Sequence, residues 1–223
     1  MYDVIVSLTT WKGRINDPAL KKVLFRLINQ NTKYKHKVVL VLSEEEFGKD
    51  YKLPEEIDLF TYDERFEVLW TYKNTRALKK LDPTMEKYPD TPIITTDDDI
   101  LIKENAIDMV MNEYLQNPNF IYGTICGNCN GIMRVGGLRI YPPNSLAKIN
   151  TDYFIRYFSC MQDDEWNGIR AAAKHTQMKK LKCKPINTIN YGNQSVAFSK
   201  TYRNFNFRIA LRKFRKDHPE FFR

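Results

Sequence analysis

Short apolar runs that end in hydroxyl or carboxyl residues, with helical stripes between them, constrain this chain more than any other feature. Val4-Ile5-Val6-Ser7-Leu8 is the first run and closes on Thr9-Thr10. Lys37 to Ser43 (KVVLVLS) is the second, Phe66 to Thr71 (FEVLWT) the third and Pro92 to Thr96 (PIITT) the fourth. Between the first two, Asp17 is placed to cap a helix that begins at Pro18. Leu20, Val23, Leu24, Leu27 and Ile28 then recur at i, i+3, i+4, i+7 and i+8, one face of that helix. Thr75 to Tyr88 predicts a helix interrupted or restarted near Pro83. Glu104 to Gln116 predicts another, with the stripe Ile107, Val110, Met111, Tyr114 and Leu115. Near-continuous apolar strands alternating with helices predict an α/β fold, a mostly parallel sheet covered by helices on both faces. Ligands of such sheets bind beyond the carboxyl ends of the strands. Thr9-Thr10, Ser43 and Asp97 to Asp99 all fall there.

After Asn119 the pattern changes. Phe120 to Cys126 and Leu138 to Tyr141 predict strands, separated by a Gly/Asn-rich stretch from Gly127 to Gly137. Helical character returns from Asp164 through Ala171-Ala172-Ala173 towards Met178. With 223 residues, 43% of them hydrophobic, and no internal repeat, the simplest expectation is one α/β domain with an irregular second half.

No apolar stretch reaches the length of a transmembrane helix. Met1 to Ser7 lacks a basic n-region and a cleavage site, so the expectation is a cytoplasmic protein. Cys126, Cys129, Cys160 and Cys183 fit a reducing compartment. The CxxC of Cys126 and Cys129 is half of a zinc pattern whose second half is missing, so ordinary thiols are expected. The net charge of +8 favours anionic partners: nucleotides, nucleic acid or an acidic membrane surface. Much of the excess lies between Lys200 and Arg223, where eight Lys/Arg face only Asp217 and Glu220.

Asp97-Asp98-Asp99 follows an apolar strand directly. Three adjacent carboxylates repel one another unless something positive sits among them. A divalent cation is the natural partner, since Mg²⁺ or Mn²⁺ takes a few carboxylates together with phosphate oxygens. The alternative is a solvated acidic turn. Asp163-Asp164-Glu165-Trp166 is the second acidic cluster, between an aromatic segment (Tyr153, Phe154, Tyr157, Phe158) and a helical stretch. A carboxylate in a first helical turn can accept a proton from a hydroxyl, or can simply cap the helix.

Taken together, Ser7-Leu8-Thr9-Thr10-Trp11, Lys80-Leu81-Asp82-Pro83, Ile94 to Ile100 and Asp163 to Trp166 resemble small bacterial GT-A glycosyltransferases in order and spacing. The likeness is greatest to family-2-like enzymes of surface-polysaccharide biosynthesis, and it covers roughly residues 1 to 170. It implies a Rossmann-like GT-A domain over residues 1–199, with a nucleotide-binding half (1–118), an acceptor-side half (119–199) and a basic aromatic extension (200–223). It implies Mn²⁺ or Mg²⁺ held by Asp99 and Asp97, and a nucleotide-sugar site drawn from Thr9, Lys80, Asp97 and Asp98. UDP is the commonest donor carrier among such enzymes. The base of an inverting transfer would be Asp164 or Asp163, with Asp163 standing where the usual residue is glutamate. A third metal ligand, often a downstream histidine, has only His175 and His218 as candidates.

The tail interleaves Arg203, Arg208, Arg212, Lys213, Arg215 and Lys216 with Tyr202, Phe205, Phe207, Ile209, Leu211 and Phe214. A basic amphipathic helix of this kind lies on anionic lipid, packs its aromatic side on the domain, or does both. It would suit a lipid-linked acceptor at the inner face of a membrane. Two other classes remain. Asp97 to Leu101 loosely fits the pattern of haloacid-dehalogenase-type phosphatases, whose motif normally ends the first strand. Basic charge with aromatics would also suit a nucleic-acid-binding protein, although a DDD cluster repels phosphate unless metal is present.

Overall fold

The four apolar runs form four parallel strands in the computed structural model, which describes residues 1–129, 131–158, 163–192 and 207–222. They are β1 (Val4–Thr9), β2 (His36–Ser43), β3 (Phe66–Thr71) and β4 (Ile93–Thr95). β1 lies between β2 and β4, in register Ser7↔Val39 and Ser7↔Thr95. Being covered on both faces, β1 and β2 bury nearly every residue, which is why they read as unbroken apolar runs.

Helix α1 (Pro18–Ile28) starts as the sequence predicts: the Asp17 carboxylate accepts from the Ala19 amide at 2.8 Å, and Pro18 opens the first turn. Its stripe, Leu20, Val23, Leu24, Leu27 and Ile28, packs on the sheet with Val4, Val6, Leu8 and Leu40. Two single-turn helices, α2 (Glu44–Phe47) and α3 (Glu55–Asp58), fill the β2–β3 connection. The helix expected over Thr75 to Tyr88 is split, as Pro83 foretold, into a 3-10 turn (Arg76–Lys80) and α4 (Asp82–Lys87). A short β5 (Leu101–Ile102) precedes α5 (Ala106–Tyr114), which buries Ile107, Val110, Met111 and Tyr114.

The second half is more regular than its composition indicates. The Gly/Asn-rich stretch is mostly strand: β6 (Ile121–Cys129) and β7 (Ile132–Tyr141) form a long antiparallel hairpin. Glycine is depleted in strands, so a run rich in it reads as a loop. Two helices follow, α6 (Thr151–Phe158) over the aromatic segment and α7 (Asp163–Ala173). α7 stops at Ala173, and Met178 belongs to a strand, β8 (Met178–Lys180), instead of a continuing helix. β9 (Ile186–Thr188) pairs with β5 in a separate two-stranded sheet. The tail supplies the expected amphipathic helix, α8 (Phe207–Asp217). Cys160, residues 200–206 and the expected boundary at 199/200 lie outside the described residues.

The main sheet runs β3-β2-β1-β4-β7-β6-β8. β7 is antiparallel to both of its neighbours, and the other adjacent pairs are parallel. Thr95 of β4 lies opposite Arg139 of β7. This pairing carries a charged residue of the second half to the carboxyl end of the parallel strands.

Candidate active site

Asp97 to Asp99 follow β4 directly, and each carboxylate has a different setting. Asp97 is the most open, with a side chain 37% exposed, and its Oδ1 lies 2.5 Å from Lys80 Nζ. Asp98 turns inward: it accepts from Thr10 Oγ1 at 2.6 Å and pairs with Arg14 at 2.5 Å. Burial pushes its pKa up to about 6, against the pull of Arg14 and Thr10. Asp99 faces Arg14 at 3.4 Å, and its backbone carbonyl accepts from the Tyr191 amide.

Lys80 ends the 3-10 turn beneath β1, and Ser7 explains its position. The Ser7 hydroxyl, in the middle of an otherwise apolar strand, donates to the Lys80 carbonyl at 2.5 Å and also contacts Thr84 Oγ1. The Lys80 side chain, only 2% exposed, spans Asp97 at 2.5 Å and Asp163 at 3.2 Å. Burial opposes its charge, but Asp163 and Asp97 outweigh burial and hold its pKa above the ordinary lysine value. Its neighbour Lys79 is equally buried, tied to Glu46 and Asn74 at 3.0 Å each.

The second cluster arrives on the first turn of α7, where the helix dipole favours carboxylates. Arg139 meets it from β7, at 2.9 Å from Asp163 and 2.5 Å from Asp164, with Asp97 at 3.9 Å. Close approach of helix to strand depends on two glycines. A Cβ at Gly168 would stand 2.5 Å from the Met133 carbonyl, and one at Gly136 would stand 2.7 Å from Asp164 Oδ2. Glu165 points away from the cluster and pairs with Arg134.

The two neighbouring carboxyls differ sharply. Asp163 is buried, yet Lys80 and Arg139 hold it well below the usual carboxylate range. Asp164, a quarter exposed, is pushed up to about 7 by burial and by the charges of Asp163 and Asp97, against the pull of Arg139. The surroundings thus favour the ionised form of Asp163 and the protonated form of Asp164.

Of the residues singled out in the sequence, Lys80, Asp97, Asp163 and Asp164 form one connected cluster. Asp98 and Asp99 follow Asp97 along the chain and share Arg14. Thr9 is at the edge: its hydroxyl donates to the Val41 carbonyl at 2.6 Å, leaving lone pairs but no proton for a ligand. Neither histidine joins the cluster. His218 is stacked against Tyr153 at 4.3 Å and Phe214 at 5.0 Å. His175 follows the far end of α7, a helix about 15 Å long at the standard rise. Cys126 lies 3.5 Å from Met133 Sδ, a thiol against a thioether.

Neither Arg139 nor Arg14 is among the residues singled out in the sequence, and Thr10 is there only as a strand-end hydroxyl. Arg139 had a signal, a lone charge inside the expected strand Leu138 to Tyr141. Arg14 sits in the loop after β1, where no periodicity marks it.

Around the cluster five carboxyl groups (Asp97, Asp98, Asp99, Asp163, Asp164) face three cations (Arg14, Lys80, Arg139), an excess of two negative charges when all five are ionised. A divalent cation matches that excess, and the all-oxygen donor set suits Mg²⁺ or Mn²⁺. Among the described residues no group of three or more His, Cys, Asp or Glu is arranged to hold a metal alone. A metal at this cluster would take one or two carboxylates from the protein and the rest of its ligands from phosphate and water.

No family model matches the sequence, and neither does any curated protein. Solved structures do match. TarS of S. aureus (residues 1–349, with UDP) aligns at TM-score 0.54 and 11% identity, over 82% of this chain and 59% of that one. The mannosyltransferase PcManGT of Pyrobaculum calidifontis, with GDP-Man and Mn²⁺, aligns at 0.54 and 13% identity, over 80% and 54%. A 4-diphosphocytidyl-2C-methyl-D-erythritol synthase aligns at 0.50 and 10% identity, over 90% and 98%. The chain spans little more than half the length of the first two. At such identities the likeness is one of fold: the chain has the mixed α/β, Rossmann-like fold of GT-A glycosyltransferases.

Proposed function

We propose that this chain is a metal-dependent glycosyltransferase that moves a sugar from a nucleotide diphosphate donor, a UDP-sugar, to a glycan or lipid-linked acceptor with inversion. One observation carries the reading: two acidic clusters 64 positions apart, counted from Asp99 to Asp163, meet at the carboxyl end of the parallel strands. Lys80 and Arg139 join them.

In this reading residues 1–118 bind the nucleotide and residues 119–199 face the acceptor. Asp99 and Asp97 hold Mn²⁺ or Mg²⁺. When bound, the metal neutralises the donor diphosphate and eases its departure. Asp98 fixes the turn through Thr10 and Arg14, which keeps its neighbours aimed outward, and Thr9 accepts from the nucleotide. Lys80 and Arg139 place positive charge behind both clusters, where it opposes the negative charge growing on the departing diphosphate. Asp164 is the base: it takes the proton of the acceptor hydroxyl as that oxygen attacks the anomeric carbon. Asp163, locked between two cations, positions it. No covalent intermediate is required.

The phosphatase reading needs a nucleophilic aspartate at the end of the first strand. Asp97 follows the fourth. Among the described residues no helix is long and apolar enough to cross a membrane. We place the protein in the cytoplasm, with the basic extension resting on the inner face of the membrane.

Calorimetric titration of UDP and GDP, with and without Mn²⁺, tests the donor site. The expected result is Mn²⁺-dependent binding of UDP, weakened at least about tenfold by Asp99→Ala, a loss of about 1.4 kcal/mol. Failure of both nucleotides to bind with Mn²⁺ would overturn the reading.

A further inference from the structure

We infer that the arginine flank of α8 is a docking site for the phosphate headgroups of an anionic membrane, holding the acceptor side of the molecule against the lipid. The inference rests on the reading above that the acceptor is lipid-linked, and it names the residues that make the contact. α8 buries Phe207, Leu211 and Phe214. Phe214 packs on Trp166 and Phe158 at 5.6 Å each. That orientation leaves Arg208, Arg212 and Arg215, again at i, i+4 and i+7, on one flank. With Leu211 they line a cleft of 380 Å³.

Arg215 is held against its neighbours. Its guanidinium lies over the Phe222 ring at 5.0 Å, and its buried Nε has no hydrogen-bond partner among the described residues. One of its terminal nitrogens reaches the β6–β7 hairpin, 3.6 Å from where a Cβ on Gly131 would stand. The sole carboxylate of the helix, Asp217, is turned to the other flank and accepts from the Tyr157 hydroxyl at 2.9 Å. Ile209, 63% exposed, stands among Arg212, Lys213 and Lys216 on the outer face. An apolar tip ringed by cations suits the headgroup–acyl boundary, where the charges meet phosphate and the side chain meets hydrocarbon. A nucleic acid offers phosphate without that apolar layer.

The docking helix also touches the chemistry. Trp166, on which Phe214 packs, is two residues beyond Asp164 on α7. A surface engaged by α8 is thereby fixed relative to the helix that carries the base.

Vesicle co-sedimentation of the full chain tests the site, using phosphatidylcholine alone or mixed with phosphatidylglycerol. The wild type is expected to bind only the anionic vesicles, and less as salt rises. Replacing all three arginines by glutamine should weaken binding about a hundredfold, at roughly fivefold for each charge. Arg212→Glu, at an exposed position, should weaken it as a single substitution. A control that removes three charges elsewhere (Lys22→Gln, Lys33→Gln and Lys35→Gln) should bind nearly as the wild type does.

Equal loss in the control, or none in the arginine variants, would overturn the inference. So would tight binding of soluble pyrophosphate to the cleft, or stronger arginine-dependent binding to single-stranded DNA than to vesicles. UDP titration with Mn²⁺ is run on the same samples. Variants that keep UDP binding have kept the fold. A wild type that binds vesicles without UDP would remove the donor reading and leave the docking site standing.

Discussion

Three carboxylates, Asp97, Asp163 and Asp164, share one guanidinium, that of Arg139, and they share it unequally. Asp163 also has Lys80, whereas Asp164, among the described residues, pairs with Arg139 alone and has a partly open face. Arg139→Met would leave buried carboxylates short of a cation, and unfolding in urea should show a loss of about 3 kcal/mol. Arg139→Lys, which keeps the charge but cannot fork between two carboxylates, should recover only part of it. The protonation of the site predicts a second result. Asp98 and Asp164 titrate above the ordinary carboxylate value when folded, at about 6 and about 7. Between the unfolded value and those values the folded chain holds more protons than the unfolded one. The stability they contribute is therefore full at acid pH, below the unfolded value, and is lost as pH rises through about 6 and about 7. Asp163 acts in the opposite sense, contributing stability above the unfolded value that is lost as pH falls below it. Thermal melts in EDTA should thus show metal-free protein losing stability from pH 5 to 8, and Mn²⁺ should raise the melting temperature more at pH 8 than at pH 5. A melting temperature that ignores both pH and Mn²⁺ would argue against a metal at this cluster.

Among the elements, α7 and the β6–β7 hairpin decide whether the second cluster meets the first. Gly168 lets α7 lie against the Met133 carbonyl, so Gly168→Ala must push the helix outward. The expected cost is about 1–3 kcal/mol, as for other overpacked contacts. Donor turnover should fall further than UDP binding, because Asp164 travels with α7 while the donor residues stay on the sheet. The same elements mark the limit of what the sequence tells. β1, β2 and α1 are legible because burial on two faces, or on one helical stripe, writes itself directly into residue order. The ends of the hairpin are legible as strands, Phe120 to Cys126 and Leu138 to Tyr141, but its middle is not, because Gly136 serves a close approach to Asp164, far along the chain, and looks locally like loop. The acidic clusters are legible as charge that must be compensated. Their compensation by Arg139 and Arg14 depends on strand order, which periodicity does not encode.

At the scale of the molecule, the β4–β7 pairing joins the parallel strands to a half built around the β6–β7 hairpin and the helices α6, α7 and α8. Lys80 and Arg139 cross the seam, and the function proposed above gives the two clusters different work: the first to hold the donor, the second to activate the acceptor. Asp164→Asn separates these roles most directly. UDP titration with Mn²⁺, followed by release of nucleotide from a UDP-sugar with water or a glycan as acceptor, should show donor binding within about twofold of wild type. Turnover should fall at least about a hundredfold, the usual worth of a general base. A variant that turns over the donor as the wild type does would contradict the division of roles between the two clusters.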